Sequence, residues 1–151
     1  YQQKIIVFLI VMITSVSCER SDDHEIETDN QQTEKPARPI PDPAVIATGK
    51  TVYQNHCRQC HGVNGVGNAN WRIKKADGFW LPPPLNGTAH TWHHPKKWLF
   101  DRIKNGSPKG KGEMPALKDK LSDAEINAVI TWMQSLWPDN VYFMWLEKDQ
   151  E

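Results

Sequence analysis

Cys57-Arg58-Gln59-Cys60-His61 is the stretch that decides the fold of this chain. Its C-x-x-C-H spacing lets two thiols attach to the two vinyl groups of one haem while the next histidine reaches the iron. We therefore expect one covalently bound haem c, with Cys57 and Cys60 as its anchors and His61 as its first axial ligand.

Two other sites use a similar pair of cysteines. A zinc site normally has a second ligand pair at comparable spacing. The third cysteine, Cys18, instead lies at the end of an N-terminal apolar segment, and His93-His94 are adjacent. A thioredoxin-like pair belongs to a βαβ pattern, and the sequence shows no such pattern. The histidine after Cys60 favours haem.

The N-terminal segment has the pattern of an export signal. Lys4 precedes an apolar run at residues 5–13 that is shorter than the about 20 residues of a membrane-spanning helix. We therefore expect a signal peptide at residues 1–17 and export to the periplasm. Cys18 resembles the lipidated cysteine of a bacterial lipoprotein, although that family most often has Leu where this chain has Ser15. The alternative is a plain signal peptide with an incidental cysteine.

Residues 18–42 are expected to form a flexible acidic tether. Residues 19–42 carry eight acidic and three basic side chains, and such a polar segment cannot bury enough apolar surface to fold alone. Residues 43–151 carry 14 basic and 10 acidic side chains, a net charge of +4. This excess is too small to indicate nucleic-acid binding. It fits docking on an acidic protein face, or an ordinary solvated surface.

Three helices are predicted in the following domain, residues 43–138. The first begins at Asp42-Pro43, an N-cap followed by proline, and extends to about Cys57. The second spans roughly Pro95–Asn105, with Trp98 facing inward. The third begins at the capping box Ser122–Glu125 and ends before Pro138. In the first helix, Gly49 would let another helix come close, and Tyr53 would pack on that neighbour.

The loops carry further signals. Gly62, Gly65 and Gly67 follow the haem motif, where backbone must pass close to a flat ring. Asp77-Gly78 indicates a small hairpin. In the tail at residues 139–151, apolar side chains are expected to fold back onto the domain: Val141, Phe143, Met144 and Trp145.

Met114 is the candidate for the second axial position. It lies beside Pro115 in a loop without helix or strand pattern, where a methionine has no evident packing role, whereas Met133 fits a gap-filling core position. Histidine, lysine or a vacant position remain alternatives. Methionine opposite histidine would raise the reduction potential relative to two histidines and would leave no position for a substrate.

This order of elements resembles the class I cytochrome c family over residues 43–138. The matching segments are Gly49-Lys50-Thr51-Val52-Tyr53, the C-x-x-C-H motif with Gly62, Pro83-Pro84-Leu85, Asn105-Gly106, Met114-Pro115-Ala116-Leu117 and Leu121–Ile126. The resemblance implies an all-α cytochrome c-like fold, with about three main helices around one covalent haem and a long loop insertion at residues 66–82. The first and last helices would cross near Gly49, Tyr53 and Trp132.

The resemblance also implies the ligand set. Cys57 and Cys60 would be thioether anchors, and His61 and Met114 the axial ligands. The Pro83 carbonyl would accept a hydrogen bond from Nδ1–H of His61 and tune the iron.

The resemblance leaves one histidine-rich segment unexplained. His90, His93 and His94 would form a metal site or a partner surface, or else His94 caps the second predicted helix while Trp92 covers the haem edge.

The sequence thus predicts a non-enzymatic carrier of single electrons in the periplasm, anchored through lipidated Cys18. Its partner would be a membrane oxidase, a reductase or a metal-handling enzyme. Three alternatives stay open: a haem enzyme or gas sensor with a labile sixth ligand, a metal-binding protein using the three histidines, and a cytochrome module of a larger complex.

Overall fold

Five helices form the framework of residues 37–150, the part of the chain that the computed structural model describes. They are α1 (Pro43–His56), α2 (Arg58–His61), α3 (Lys96–Asn105), α4 (Asp123–Ser135) and α5 (Asp139–Asp149). Within these residues the only β pairing is a single antiparallel bridge between Lys74 and Trp80, at the predicted Asp77-Gly78 turn. The all-α fold class is therefore confirmed. The predicted signal peptide, Cys18 and most of the predicted tether lie outside the described residues.

The helix starts follow the cap residues in the sequence. The Asp42 side chain accepts a hydrogen bond from the Ala44 backbone N–H at 2.8 Å, with Pro43 in the first turn of α1. At α4, Ser122 Oγ accepts from the Glu125 N–H at 3.3 Å, and the Ser122 N–H donates to the Glu125 carboxylate at 2.8 Å. Each cap satisfies backbone donors that the helix itself leaves free.

Helices α1 and α4 cross at Gly49, as predicted. A β-carbon at this position would lie 2.1 Å from the Ala128 carbonyl oxygen and 2.7 Å from Trp132 Cβ. One turn later, the rings of Tyr53 and Trp132 pack with centroids 4.3 Å apart. The missing side chain therefore allows the two helix backbones to touch.

The core is formed by apolar side chains from four of the helices, from the loop before α4 and from the short connection between α4 and α5. They are Val52, Tyr53, Leu99, Ile103, Leu117, Leu121, Ile126, Val129, Ile130, Trp132, Met133, Trp137, Val141 and Trp145. Trp98 was expected to face inward, but 37% of its surface is exposed and its ring stacks on His94 at 3.7 Å.

The C-terminal tail folds back onto the domain as the helix α5. Val141 and Trp145 are buried, and Trp145 Nε1 donates to the His94 carbonyl at 3.1 Å. Met144, which was expected to pack inward, is exposed. None of the helices within residues 37–150 is both long and apolar enough to cross a membrane.

The last residues of the predicted tether also contact the domain. Arg38 Nη1 donates to the Trp137 carbonyl at 2.8 Å, and its Nη2 donates to the Gln134 carbonyl. Its guanidinium lies 4.1 Å from the centre of the Tyr142 ring. Residue 38 is thus held against the end of α4 and against α5.

Candidate functional site

The C-x-x-C-H motif forms a tight helical turn. Cys57 ends α1, and its carbonyl accepts hydrogen bonds from the N–H groups of Cys60 at 3.1 Å and His61 at 2.9 Å. Both cysteines are free thiols, one buried at position 57 and one exposed at position 60. Burial raises the pKa of Cys57 to about 11, so its sulfur is a neutral thiol at pH 7. One turn of helix thus carries two thiols and an imidazole.

The loop after His61 packs directly on a proline segment. Gly67 has φ +64°, and a β-carbon there would lie 2.2 Å from Pro84 N and 2.5 Å from the Pro83 carbonyl carbon. Only glycine combines this positive φ with so close an approach. Backbone hydrogen bonds join the two segments on either side, from Asn68 N–H to the Pro82 carbonyl at 2.9 Å and from Leu85 N–H to the Gly65 carbonyl at 2.7 Å.

This packing places the Pro83 carbonyl oxygen 2.9 Å from Nδ1 of His61. A carbonyl can only accept, so Nδ1 carries the proton and Nε2 keeps a free lone pair. Burial lowers the pKa of His61 below its ordinary value, which favours this neutral form. The contact is the one that the resemblance implied. It settles which carbonyl of the three consecutive prolines faces the ring.

Two further hydrogen bonds hold the proline segment in place. Thr91 Oγ1 donates to the Pro84 carbonyl at 2.9 Å, in a buried position. Trp137 Nε1 donates to the Leu85 carbonyl at 2.8 Å. No local pattern predicted these two contacts, because the first joins a loop to a short 3-10 turn and the second spans 52 residues.

Tyr53 ties α1 to the same turn. Its hydroxyl donates to the Gly62 carbonyl at 2.7 Å, directly after His61. Burial raises the pKa of Tyr53 to about 12, so the hydroxyl stays protonated and keeps this bond at neutral pH. The sequence predicted only a packing role for this residue.

The loop that carries Met114 is anchored to the end of α3. Ser107 N–H donates to the Met114 carbonyl at 2.8 Å, and Leu117 N–H donates to the Ile103 carbonyl at 3.2 Å. A β-carbon at Gly106 would lie 2.6 Å from the Met114 carbonyl oxygen. The Met114 side chain is half-buried and packs against the hydrophobic core. The loop around Met114 is therefore held in place by backbone contacts on both sides of this residue.

Two of the three clustered histidines belong to a row of stacked rings. Trp71 stacks on His90 at 5.1 Å, His90 meets His94 edge-on at 5.6 Å, and His94 stacks on Trp98 at 3.7 Å. We call these four residues the His–Trp ladder. An arginine covers each end, Arg72 over Trp71 and Arg102 over Trp98.

The structure does not support a metal site at the three histidines, which was one of the alternatives for this segment. His93 leaves the ladder and stacks on Trp92 at 3.7 Å. Among residues 37–150, no group of three or more His, Cys, Asp or Glu side chains is arranged to hold a metal ion. His94 is not a helix cap either, because Pro95 occupies the N-cap of α3 without a side-chain hydrogen bond. Each ring packs against tryptophan instead.

Comparison with known proteins identifies the family. Residues 44–133 match the model of cytochrome c oxidase, cbb3-type, subunit III. The chain belongs to this family. It is thereby shown to be a c-type cytochrome.

Curated relatives of this c-type cytochrome include cbb3-type cytochrome c oxidase subunit CcoP from Azospirillum sp. (strain B510) and from Azospirillum brasilense. Each is 32% identical over 95 residues, which cover 63% of this chain and 30% of the relative. A thiosulfate dehydrogenase from Stutzerimonas stutzeri (strain A1501) is 35% identical over 94 residues, 60% of this chain and 27% of that protein. The cytochrome spans less than a third of the relatives it matches. No solved structure matches it.

Membership of a c-type cytochrome family implies covalently bound haem c, and the donor set of this chain fits that group. Cys57 and Cys60 are free thiols three residues apart on one helical turn. The imidazole of His61 has its Nδ1 engaged by Pro83 and its Nε2 available as a ligand. Neutral imidazole is the form that binds iron.

Proposed function

We propose that this cytochrome carries single electrons, with one haem c joined to Cys57 and Cys60 and ligated by His61 and Met114. The observation that carries the proposal is the 2.9 Å contact between Nδ1 of His61 and the Pro83 carbonyl. His61 directly follows the second thiol, that of Cys60. When bound, haem c supplies an iron that changes reversibly between two oxidation states.

The residues around His61 hold its imidazole in one orientation, as a ligand for iron. The Pro83 carbonyl fixes the tautomer and the ring direction of His61, and a hydrogen bond of this kind makes the other ring nitrogen a better donor to metal. Met114 would be the second ligand of the iron, held by a loop that is tied to α3. If side chains supply both ligands, no coordination position would remain for a substrate, which favours a carrier over an enzyme.

Absorption spectra of the haem-loaded protein test the ligand set. We expect a low-spin spectrum with the far-red thioether band and no response to carbon monoxide. Met114→Ala should lose the band and bind carbon monoxide. Met144→Ala is the matched control, because Met144 is exposed on α5, and its spectrum should equal that of the wild type. Carbon monoxide binding by the wild type, or an unchanged Met114→Ala spectrum, would contradict methionine ligation.

The proposed partner is a membrane oxidase. Support comes from the relatives named as subunits of cbb3-type cytochrome c oxidase, and a reductase or a metal-handling enzyme are the other partners that the sequence favours. Oxidation of the reduced protein by membranes should slow when residues 21–36 are deleted, while a Gly/Ser segment of equal length should restore the rate. Equal rates for all three proteins would argue against a tethered carrier.

Attachment to the periplasmic face of a membrane is part of the same proposal. It rests on the export pattern of residues 1–17 and on the cysteine at position 18. We expect mass spectrometry of the exported protein to find a lipid on Cys18, and Cys18→Ser to move the protein to the soluble periplasmic fraction. Unchanged membrane attachment of that variant would exclude the lipid anchor.

A second candidate function follows from the similarity to thiosulfate dehydrogenase. In that case the cytochrome would accept electrons from thiosulfate at an iron whose sixth ligand is labile. Mixing the purified oxidised protein with thiosulfate tests this, because reduction would be visible in the absorption spectrum. Reduction by thiosulfate together with carbon monoxide binding would support the enzyme. The absence of both responses would support the carrier.

A further inference from the structure

Residues 82–85 present four consecutive backbone carbonyls, and each of them accepts a hydrogen bond from a different part of the chain. The donors, in the order of the carbonyls, are the Asn68 N–H at 2.9 Å, Nδ1 of His61 at 2.9 Å, the Thr91 hydroxyl at 2.9 Å and the Trp137 indole N–H at 2.8 Å. The first three of these four residues are prolines, which have no backbone N–H of their own. The direction of each carbonyl therefore depends on its donor.

The carbonyls of Pro83 and Pro84 are coupled through a single free torsion. The first faces His61, and only the φ and ψ angles of Pro84 separate it from the second. The proline ring holds φ at about −65°, so ψ alone can vary. Because the Thr91 hydroxyl holds the Pro84 carbonyl, it also fixes this angle and with it the direction of the Pro83 carbonyl.

Thr91 is buried and is supported from α5. It is 5% exposed and Pro84 is also buried, so water cannot easily replace the hydroxyl if it is lost. The Thr91 carbonyl accepts from the His94 N–H at 3.2 Å, and the His94 carbonyl accepts from the Trp145 indole at 3.1 Å. Trp145 lies outside the segment 44–133 that matches the family. The C-terminal helix thus holds the turn that carries Thr91.

Trp137 is a second donor held in a fixed position. It also lies outside the matched segment, and its side chain is 2% exposed. Its ring meets that of Trp145 edge-on, with centroids 5.9 Å apart. A β-carbon at Gly87 would lie 3.1 Å from its indole Cδ1, so the backbone there packs closely on the ring. The indole N–H is therefore kept in line with the Leu85 carbonyl.

We propose that Thr91 and Trp137 are positioning residues for the haem iron. They hold the Pro83 carbonyl at its observed 2.9 Å from Nδ1 of His61, and through this bond they set the reduction potential. The inference rests on the proposed ligation of iron by His61. A histidine whose Nδ1–H is well bonded is a stronger donor to metal, and a stronger donor favours the oxidised iron with its higher charge. Loosening the Pro83 carbonyl therefore raises the potential.

Thr91→Val tests this role, because it removes the hydroxyl and keeps the shape of the side chain. In the haem-loaded full chain, we expect voltammetry to give a higher reduction potential than that of the wild type. In the reduced protein, the Nδ1–H of His61 should exchange with solvent about fivefold faster or more, since its hydrogen bond is weakened. Thr91→Ser, which keeps a hydroxyl, should return both quantities towards their wild-type values.

Thr131→Val is the matched control. The Thr131 hydroxyl also donates to a backbone carbonyl at 2.9 Å, that of Asn127 within α4. This variant therefore loses a comparable bond at a place that does not hold the proline segment. Its reduction potential and the exchange rate of the His61 Nδ1–H should equal those of the wild type. Equal shifts in Thr91→Val and Thr131→Val would overturn the proposal, because they would reflect a general loosening of the fold.

The proton spectrum of the reduced wild type separates this inference from the proposed function. The ring protons of a histidine bound to haem iron are shifted far upfield by the ring current of the porphyrin. If His61 lacks these shifts, ligation by His61 fails and the inference fails with it. If His61 shows them while Thr91→Val keeps the wild-type potential and exchange rate, only the inference is overturned.

Trp137→Phe is a second test, because it removes the indole N–H and keeps an aromatic ring. Its potential should also rise, but by less than that of Thr91→Val, since more torsions separate the Leu85 carbonyl from that of Pro83. If Thr91→Val does not accumulate as folded protein, Trp137→Phe decides the question. An unchanged potential in that variant would then overturn the proposal.

Discussion

Replacing Gly49 by alanine tests whether the backbones of α1 and α4 touch. The added methyl carbon would lie 2.1 Å from the Ala128 carbonyl oxygen and 2.7 Å from Trp132 Cβ. Ordinary contacts between such atoms are longer than 3 Å, so the two helices would have to move apart by roughly 1 Å. This movement would also loosen the packing of Tyr53 on Trp132.

Two opposing effects determine the size of the change. Alanine is favoured over glycine inside a helix by about 1 kcal/mol. Overpacking of a tight core contact costs about 1–3 kcal/mol, and more in some cases. Because the clash is with helix backbone, which cannot rotate away, we expect the upper end of that range. The free energy of unfolding should then fall by about 2 kcal/mol, which lowers the melting temperature by about 8 °C or more.

The assay is thermal and guanidinium unfolding of the haem-loaded protein, followed by far-UV circular dichroism. Lys50→Ala is the matched control, because Lys50 is the next residue of α1 and is exposed. Its stability should stay within about 0.5 kcal/mol of the wild type. A Gly49→Ala variant that is as stable as the wild type, or more stable, would refute the close crossing.

Three further predictions, the first with a control variant, test the rest of the architecture. Gly67→Ala places a β-carbon against the proline segment, so its reduction potential in voltammetry should differ from that of the wild type. Gly78→Ala has the same positive-φ strain but open space around it, and an equal shift in both would contradict our reasoning. Ser122→Ala removes the capping box and should lower the free energy of unfolding in urea by about 1 kcal/mol; no loss would show that the cap is dispensable. Burial, together with the nearby arginines and His93, lowers the pKa of His90 and of His94 in the ladder. The unfolded chain therefore binds more protons, so stability should fall as pH drops below about 6.5, and less steeply in a His90→Asn/His94→Asn variant. Equal slopes would exclude the ladder as the source.

Local signals in the sequence were sufficient for the starts of α1 and α4, but they did not predict α2 or α5. Asp42 and Ser122 cap α1 and α4 through side chains that act within three residues, so a short window contains all the information. The His61–Pro83 contact followed from the resemblance to a family, because 22 residues separate its partners and no local rule joins them. Haem ligation by Met114 stays a prediction.

Longer-range contacts explain what the sequence analysis missed. Pro138 was interpreted as the end of the last helix, but it also occupies the N-cap of α5. That helix buries only Val141 and Trp145, which is too few positions for a clear helical period. Trp98 was placed inside because it is apolar, whereas stacking on His94 supplies a partner at the surface. Whether an aromatic ring faces the core or the surface depends on the partners that the fold brings next to it.

The contacts of Arg38 place the first described residues beside the last helix. Arg38 and Asp149 line one hollow beside α5, so the two ends of the described domain lie on the same side. A domain with adjoining ends can be inserted into a longer protein, or circularly permuted, with short connecting segments. The curated CcoP relatives are longer proteins, of which the match covers 30%.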